Sequence, residues 1–529
     1  MILDLEGSDK NTSINADILI VGAGTAGLYL ANKLAGQDSN VVVVERGGVA
    51  GKRASKDSVT NIGIPYKGHF EGRSFGLGGT STLWGGQMIP LSRTDLADRD
   101  AKYFSNWPIE YQDLSPHFSS VQKSLGLNSY CKSDLQRIKK RFFPAIFNLN
   151  DSLSLRISQW IPFKKRNFGK FYYKMVNSKS RSSIKVWINA PVIRITKTEV
   201  QKEYKITEVL AKSPSGNLLT ISPKKVVICA GAIESTRLLL EFESENFPLG
   251  QRSPVLGRFF SDHLSVNLGE VIPDSFTKAN LALAPIFYKG IMHTPRLELS
   301  AKFQRESLSP SAFIHFVFLT KGGTPFDFIR DLLRSMQDGR KIEGNLSIVL
   351  AFKSVAGLLQ MTFWRLFFKR LKFPKDSKIL LQIDFEQMAN RDSIVKLESE
   401  TKKGKGGLIL DWNFTECEME NIHNVSKEMI SILQKSNLGK TFKLKPLLDQ
   451  NSMNISNIHD VYHPTGTISM GSDFKNSVVD LNLKLHNCTN LYVSSTAVFP
   501  APGSANPGLT HLALTDRLGD FLINKKEVN

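Results

Sequence analysis

Cysteine is scarce in this chain: Cys131, Cys229, Cys417 and Cys488 are the only four in 529 residues, and they form no C-x-x-C pair. That spacing offers no zinc or thiol–disulfide motif and no C-x-x-C-H haem attachment, so neither a metal site nor a fused cytochrome is expected. Cys229 sits in the apolar run VVICAG and is expected to be a buried small hydrophobe. No stretch is long and apolar enough to span a bilayer. Residues Met1 to Ala16 lack a basic segment followed by an apolar one, so no secretory signal is expected. With so little cysteine, the expected setting is reducing and cytoplasmic. Internal repeats and long low-complexity tracts are missing too.

Acidic residues are outnumbered, 49 against 68 Lys and Arg, for a net charge of +19. The excess is uneven. Between Lys132 and Lys185 stand fourteen Lys or Arg and two acids, Asp134 and Asp151, a net of +12, with aromatics such as Trp160, Phe163 and Phe171 interleaved. Such mixtures can bind nucleic acid, but nothing else here resembles a nucleic-acid module. A solvated basic surface, an anionic membrane contact and a phosphorylated substrate remain open. The length exceeds a single hydrophobic core, so two domains are expected, and the 41% hydrophobic and 22% charged content is that of a folded protein.

What is present is glycine in a particular order. Asp17 to Gly27 reads DILIVGAGTAG, an apolar strand running into Gly22, Gly24 and Gly27. A helical pattern, LYLANKLA, follows, then the strand VVVVE ending at Glu45. Gly22 permits the tight turn, Gly24 lets backbone approach a pyrophosphate, and Gly27 lets helix and strand pack closely. The helix start, including Thr25 and Ala26, offers unpaired N–H groups to phosphate. Glu45 is placed to accept hydrogen bonds from ribose hydroxyls, which disfavours NADP but does not separate FAD from NAD. Without its flanking elements the glycine run would be a structural turn; strand, helix, strand and acid together point to a dinucleotide site.

Further motifs bear on that choice. Residues 76–87 read GLGGTSTLWGGQ, a glycine density that lets a chain lie flat on a planar ligand or simply form a surface loop. Residues 226–240, VVICAGAIESTRLLL, give a strand, a small-residue turn and a helix. YHPTGTISMG starts at Tyr462, and VVDLNLKLHNCTNLYVSSTAVFPAPGSANPGLTHLAL runs from Val478 to Leu514. Together these segments, in this order along the chain, resemble the glucose-methanol-choline (GMC) oxidoreductase family. The likeness is nearest to the sugar-oxidising branch with pyranose oxidase, cellobiose dehydrogenase and the gluconate and fructose dehydrogenase flavin subunits. IDFEQMANRDSIVKLES at 383–399 and LDW at 410–412 also resemble that branch.

The resemblance implies a non-contiguous, Rossmann-like α/β domain for FAD, residues 14–95, 185–270 and 452–529. It implies an inserted substrate domain, 96–184 with 271–451, built on an antiparallel sheet with strands such as Leu297–Phe303, Ala312–Leu319 and Ile379–Met388. KKGKGG at 402–407 reads as a hairpin tip. Contacts to FAD are implied for Gly22, Gly24, Thr25, Ala26, Gly27 and Glu45, and in the flavin loop for Gly78, Gly79, Thr80, Ser81, Trp84, Gly85 and Gly86. Further contacts are implied for Val192 by the adenine, Ala230, Gly231, Ser495, Asn506, Pro507 and Thr510. Leu83 stands where pyranose oxidase bonds a histidine to its flavin, so FAD is expected to be non-covalent.

The same resemblance implies the chemistry. Oxidising a CH–OH group requires a base for the hydroxyl proton and a carbon held near flavin N5. Histidine suits the first task because it titrates near neutrality. The first histidine of H-x-x-G-T-x-x-M-G, His463, is the implied base. Asn506 in GSANP is the implied partner that orients the hydroxyl and steadies a developing alkoxide. His511 is expected to be structural, and His263 in SDHLS a packing or loop-anchoring residue. The expected substrate is a small alcohol or sugar, with anionic and lipid-linked forms open. The electron acceptor is open among oxygen, a quinone, a carrier and a second substrate, with a dehydrogenase favoured. The alternatives are a non-redox lyase on the same fold, a non-sugar alcohol or sterol oxidoreductase, and a protein that keeps FAD only structurally.

Residues 346–373, LSIVLAFKSVAGLLQMTFWRLFFKRLKF, form one more pattern. On a helical wheel Lys353, Gly357, Gln360, Arg365, Lys369 and Lys372 gather on one side against apolar residues. Such a helix either packs on the substrate domain with its basic face in water or lies in an anionic headgroup layer with its apolar face buried.

Overall fold

The computed structural model describes all residues except 38, 98, 101–103, 148, 177–183, 201–202, 248–251, 340–347, 399–406, 449–453 and 525–529. The strand Asn11–Val21 alternates in burial at first and is buried throughout from Ile18, where it enters the core. It turns at Gly22, whose φ of +108° lies in the region glycine favours. The helix Thr25–Leu34 then leads to Val41–Val44, four β-branched residues buried on both faces, as parallel central strands are. The two strands pair in parallel, Ile18 with Val41 through Val21 with Val44.

Around this unit a sheet gathers from distant parts of the chain. Ile184–Ile188 adds beyond Val41–Val44, and Ile2–Asp4 beyond that, both in parallel. On the other side Leu218–Ile228 pairs in parallel with Asn11–Val21 along its whole length, and its end pairs with Leu491–Val493. Its first half also carries an antiparallel meander with Glu203–Lys212 and Val192–Val200. The helices Ala232–Asn246 and Gly508–Asn524 bury apolar residues in the same core. This is a Rossmann-like α/β layer with the start, middle and end of the chain side by side.

A second sheet is largely antiparallel. Ala312–Leu319 pairs with Lys378–Glu386, which pairs with His263–Ile272; on the other flank Ile291–Leu299 links to Leu153–Trp160 and then to Gln87–Met88. Its inner face forms a second core with Leu264, Leu297, Ile314 and Ile383. The strand read as Leu297–Phe303 ends at Leu299. Ser300 then accepts the Phe303 N–H and caps the helix Ala301–Glu306, a local side-chain bond that overrides the strand pattern. The strand read as Ile379–Met388 runs Lys378–Glu386. The KKGKGG run lies outside the described residues except for Gly407, while the flanking strands Ile394–Leu397 and Leu408–Asp411 pair as a hairpin.

Candidate active site

Two glycine loops meet backbone to backbone. A Cβ on Gly79 would stand 2.9 Å from Gly24 Cα, and the Gly78 N–H donates to Ala23 O at 2.9 Å. Residues 76–87 are thus mostly buried and not the surface loop the glycine content also allowed. Glu45 holds the junction. Its Oε1 accepts the N–H groups of Gly47 at 2.9 Å and Gly76 at 2.8 Å, and its Oε2 that of Ala23 at 2.8 Å. A carboxylate accepts about four bonds, so Glu45 keeps acceptor capacity while fixing three turns.

These loops form one end of a cavity of about 2100 Å³. Its wall includes Gly22, Gly24, Thr25, Ala26, Glu45, Gly79, Thr80, Trp84, Gly85, Gly86, Val192, Ala230, Gly231, His463, Asn506 and Pro507. Five residues expected at a cofactor lie behind the wall. Gly27 is a packing glycine, since a Cβ there would stand 1.9 Å from Gly22 O. Gly78 adopts φ +94° against Gly169. Ser81 Oγ donates to Gly78 O and accepts the Phe168 N–H. Ser495 caps the turn Thr496–Val498, and the Thr510 hydroxyl accepts the Leu91 N–H. Sequence order alone does not distinguish a residue that touches a ligand from one that shapes the turn doing so.

Elsewhere on the same wall the HPTGT segment is threaded into the core. Thr465 bonds Ser261 at 2.8 Å and Thr467 bonds Thr236 at 2.7 Å, hydroxyl to hydroxyl. Gly466, at φ +94°, passes where a Cβ would stand 1.9 Å from Phe259 O. Tyr462 also adopts a positive φ, +67°, tied by its hydroxyl to Glu71 at 2.6 Å. The backbone N–H of His463 donates to both Asp262 oxygens at 3.0 Å. Burial, reinforced by the Asp460 charge, pushes the Asp262 carboxyl up to about 8. The Thr496 hydroxyl donates to Pro464 O at 2.7 Å, so His463 is fixed at its backbone and at both neighbours.

His263 is more than a loop anchor. Its Nδ1 stands 3.2 Å from His463 Nδ1, with the rings edge to face at 5.1 Å between centroids. Burial first, and His263 second, hold His463 down at about 3, so its imidazole is neutral. His511, expected to be structural, also reaches the cavity wall, and its Nε2 has no hydrogen-bond partner among the described residues. Burial holds it down at about 4. Asn506 and Pro507 precede the helix Gly508–Asn524, whose start faces the same cavity.

A polar network behind this wall escaped the sequence reading. Asp384 accepts from Ser265 Oγ at 2.6 Å, with His315 Nε2 at 3.1 Å and Arg296 at 3.5 Å. Burial would raise Asp384, but His315 and Arg296 hold it well below the usual carboxylate range. Arg296 continues to Gln87 Oε1 at 2.8 Å, and Gln87 Nε2 to Ser158 at 2.6 Å; Gln87 and Trp160 line the cavity. These residues sit on six different strands, so no local motif announces them. On the helix Ala232–Asn246, beside the HPTGT segment, Glu234 is gripped by Arg73 and Arg237; burial would raise its carboxyl, but its cationic neighbours pull it down to about 2.

Residues 389–515 match the family described as GMC oxidoreductase, and residues 20–75 match the NAD(P)-binding Rossmann-like domain. The large subunit of fructose dehydrogenase from Gluconobacter japonicus is 30% identical over 100 residues, which cover 19% of this chain and 16% of that subunit. Pyridoxine 4-oxidase from Mesorbium loti superposes with a TM-score of 0.59 at 16% identity, covering 96% of this chain and 99% of that one. A variant of formate oxidase from Aspergillus oryzae RIB40 gives a TM-score of 0.61 at 15% identity, covering 98% and 100%. At such identities the likeness to these solved structures is one of fold.

Proposed function

We propose that the chain, whose residues 389–515 match the GMC oxidoreductase family, is a member of that family that binds FAD in the large cavity and oxidises a CH–OH group there, with His463 as base. The residues fit the cofactor. A Cβ at Gly24 would meet nothing nearer than Gly79 Cα at 3.9 Å, and one at Gly231 would meet nothing within 4 Å, so both glycines leave room on the cavity side. The glycine loops and the start of the helix Thr25–Leu34 would cradle the pyrophosphate, Glu45 would take a ribose hydroxyl, and Val192 would flank the adenine. No histidine stands at Leu83, which lines the cavity, so the cofactor is held without a covalent bond to that position. Bound FAD supplies the hydride acceptor.

The chain supplies the rest. Because Nδ1 of His463 faces His263, Nε2 is the atom left to take the substrate hydroxyl proton. Nε2 is an acceptor only in the tautomer whose Nδ1–H donates to His263, so His263 acts as a positioning residue. Asn506 would bond the same hydroxyl through its amide. Gln87, fixed by the Arg296–Asp384 network behind it, offers an oriented amide, and Trp160, whose indole N–H donates to Thr294 Oγ1, offers a ring face; the pair suits a polyhydroxylated substrate such as a sugar or glycan. The observation that carries this reading is His463, neutral and fixed, on the wall of the cavity that begins at Gly24.

The experiment is anaerobic mixing of the yellow holoprotein with a panel of free, phosphorylated and lipid-linked sugars. Bleaching by one class, with loss of about a hundredfold to ten-thousandfold in His463→Ala that still holds FAD, is expected. Turnover of an alcohol without bleaching would replace oxidation with lyase chemistry. Peroxide yield during turnover separates an oxidase from a dehydrogenase that passes electrons to a quinone or carrier.

A further inference from the structure

From Ser354 onward, the helix Ile348–Phe367 turns most of its apolar side chains outward. It touches the body of the protein along a narrow seam, on which Ser354 and Trp364 are buried and Gly357 and Met361 half-buried. Gly357 makes the seam tight: a Cβ there would stand 2.7 Å from Pro325 Cβ, at the start of the helix Pro325–Asp338. The basic side expected from the helical wheel is not one face, because Gly357 lies on the seam and Lys372 is buried with its ammonium 4.3 Å over the Trp364 ring; Lys353 carries no described side chain. What faces outward is apolar. Val355, Leu358, Leu359, Phe363, Leu366 and Phe367 are all exposed, Leu359 and Phe367 by 67% and 69%. Leu333 and Met336 on the neighbouring helix are exposed as well. A contiguous apolar surface of this kind marks an interaction site.

We propose that this helix docks the protein on an anionic membrane surface, with the mouth of the cavity opening at that surface. Charge selects the occupant. Between Glu343 and Asp376 the sequence has no acid and six cations, Lys353, Arg365, Lys369, Arg370, Lys372 and Lys375. Arg365, Lys369 and Lys375 are exposed at the end of the helix or just beyond it, where they can reach headgroups while the apolar face is immersed. A second copy seated face to face would bring the same cations against each other. No helix of the described residues is long and apolar enough to cross a membrane, so the contact is interfacial.

The cavity fixes the orientation. Leu333, Arg334, Leu358, Thr362 and Arg365 are exposed and also line it, so they form its rim. Lys164, from the basic 132–185 segment, is exposed on the same wall. The helix Pro325–Asp338 is pinned inward by Gln337, which donates to the carbonyls of Ser81 and Trp84 in the glycine-rich loop. Docking would therefore bring the membrane to the entrance that leads to His463. The contact itself does not rest on the redox reading.

The test is co-sedimentation of the full-length protein with phosphatidylcholine vesicles, with and without phosphatidylglycerol. Binding is expected to require phosphatidylglycerol and to weaken as salt rises. Leu359→Glu/Phe367→Glu should lower it about tenfold or more while leaving the melting temperature unchanged, because both side chains lie outside the core. Equal binding to both vesicle types, or none to either, would overturn the proposal. So would a dimer in sedimentation equilibrium that this double variant dissociates. Neither result bears on flavin bleaching, so the two readings fail separately.

Discussion

The Nδ1 atoms of His463 and His263 stand 3.2 Å apart, so one imidazole must donate its proton to the other. Both rings are kept neutral, chiefly by burial, and His263 adds its own downward push on His463. A base is active in its neutral form, so the rate should fall only as pH drops through the pKa of His463, held at about 3. Flavin reduction is therefore expected to be flat across neutral pH, with no acid limb near 6.5. His263→Ala removes one depressing neighbour and opens the site to water, so it should move the limb upward toward the ordinary histidine value. It should also slow reduction about tenfold to a hundredfold through loss of the fixed tautomer. His263→Asn, whose amide oxygen can still accept from Nδ1–H, should restore most of the rate. An unchanged profile in His263→Ala would remove the positioning role.

How much of this was legible from sequence depends on the range of the contacts. The strand–glycine–helix–strand unit ending at Glu45 was readable because period and turn chemistry are local, and Ala312–Leu319 was readable because it is a strand in a regular setting. The strand end at Leu299 was missed because the Ser300 cap, also local, reads weakly beside an apolar run. His263 and His463 are 200 residues apart, and the Ser265, Arg296, His315 and Asp384 network is spread over separate strands, so only the folded sheet brings each set together. The outward apolar face of Ile348–Phe367 was half legible. Its composition was plain, but which side meets the body was decided by Gly357 against Pro325.

Asp384 is buried among His315, Arg296 and Ser265, and its carboxylate offsets a guanidinium with little access to water. Asp384→Ala would leave Arg296 without that charge, a loss of about 3–5 kcal/mol in a buried pair. A clear drop in melting temperature is expected, together with weaker substrate binding, since Arg296 also holds Gln87 at the cavity wall. A double variant with Arg296→Met should recover part of the stability, because it removes the stranded charge. If the single variant melted like the parent, the network would be dispensable to the fold.

Gly24 and Gly27 occupy the same motif but should respond differently to substitution. Gly27 is closed in by backbone: its Cβ would stand 1.9 Å from Gly22 O and 3.0 Å from Gly22 C, and neither atom can rotate away. Gly27→Ala should therefore destabilise the fold itself by about 1–3 kcal/mol or more, with or without cofactor. Gly24 has an ordinary φ of −81° at the cap of the helix Thr25–Leu34, and its Cβ would project toward open cavity space. Gly24→Val should keep the apoprotein melting temperature yet purify colourless, because the new side chain fills the place where a pyrophosphate would approach the backbone. The measurement is thermal melting of apoprotein together with flavin absorbance after incubation with FAD. A Gly24→Val protein that binds FAD like the parent would mean that the dinucleotide does not run past this turn, and the cofactor reading of the cavity would have to be redrawn.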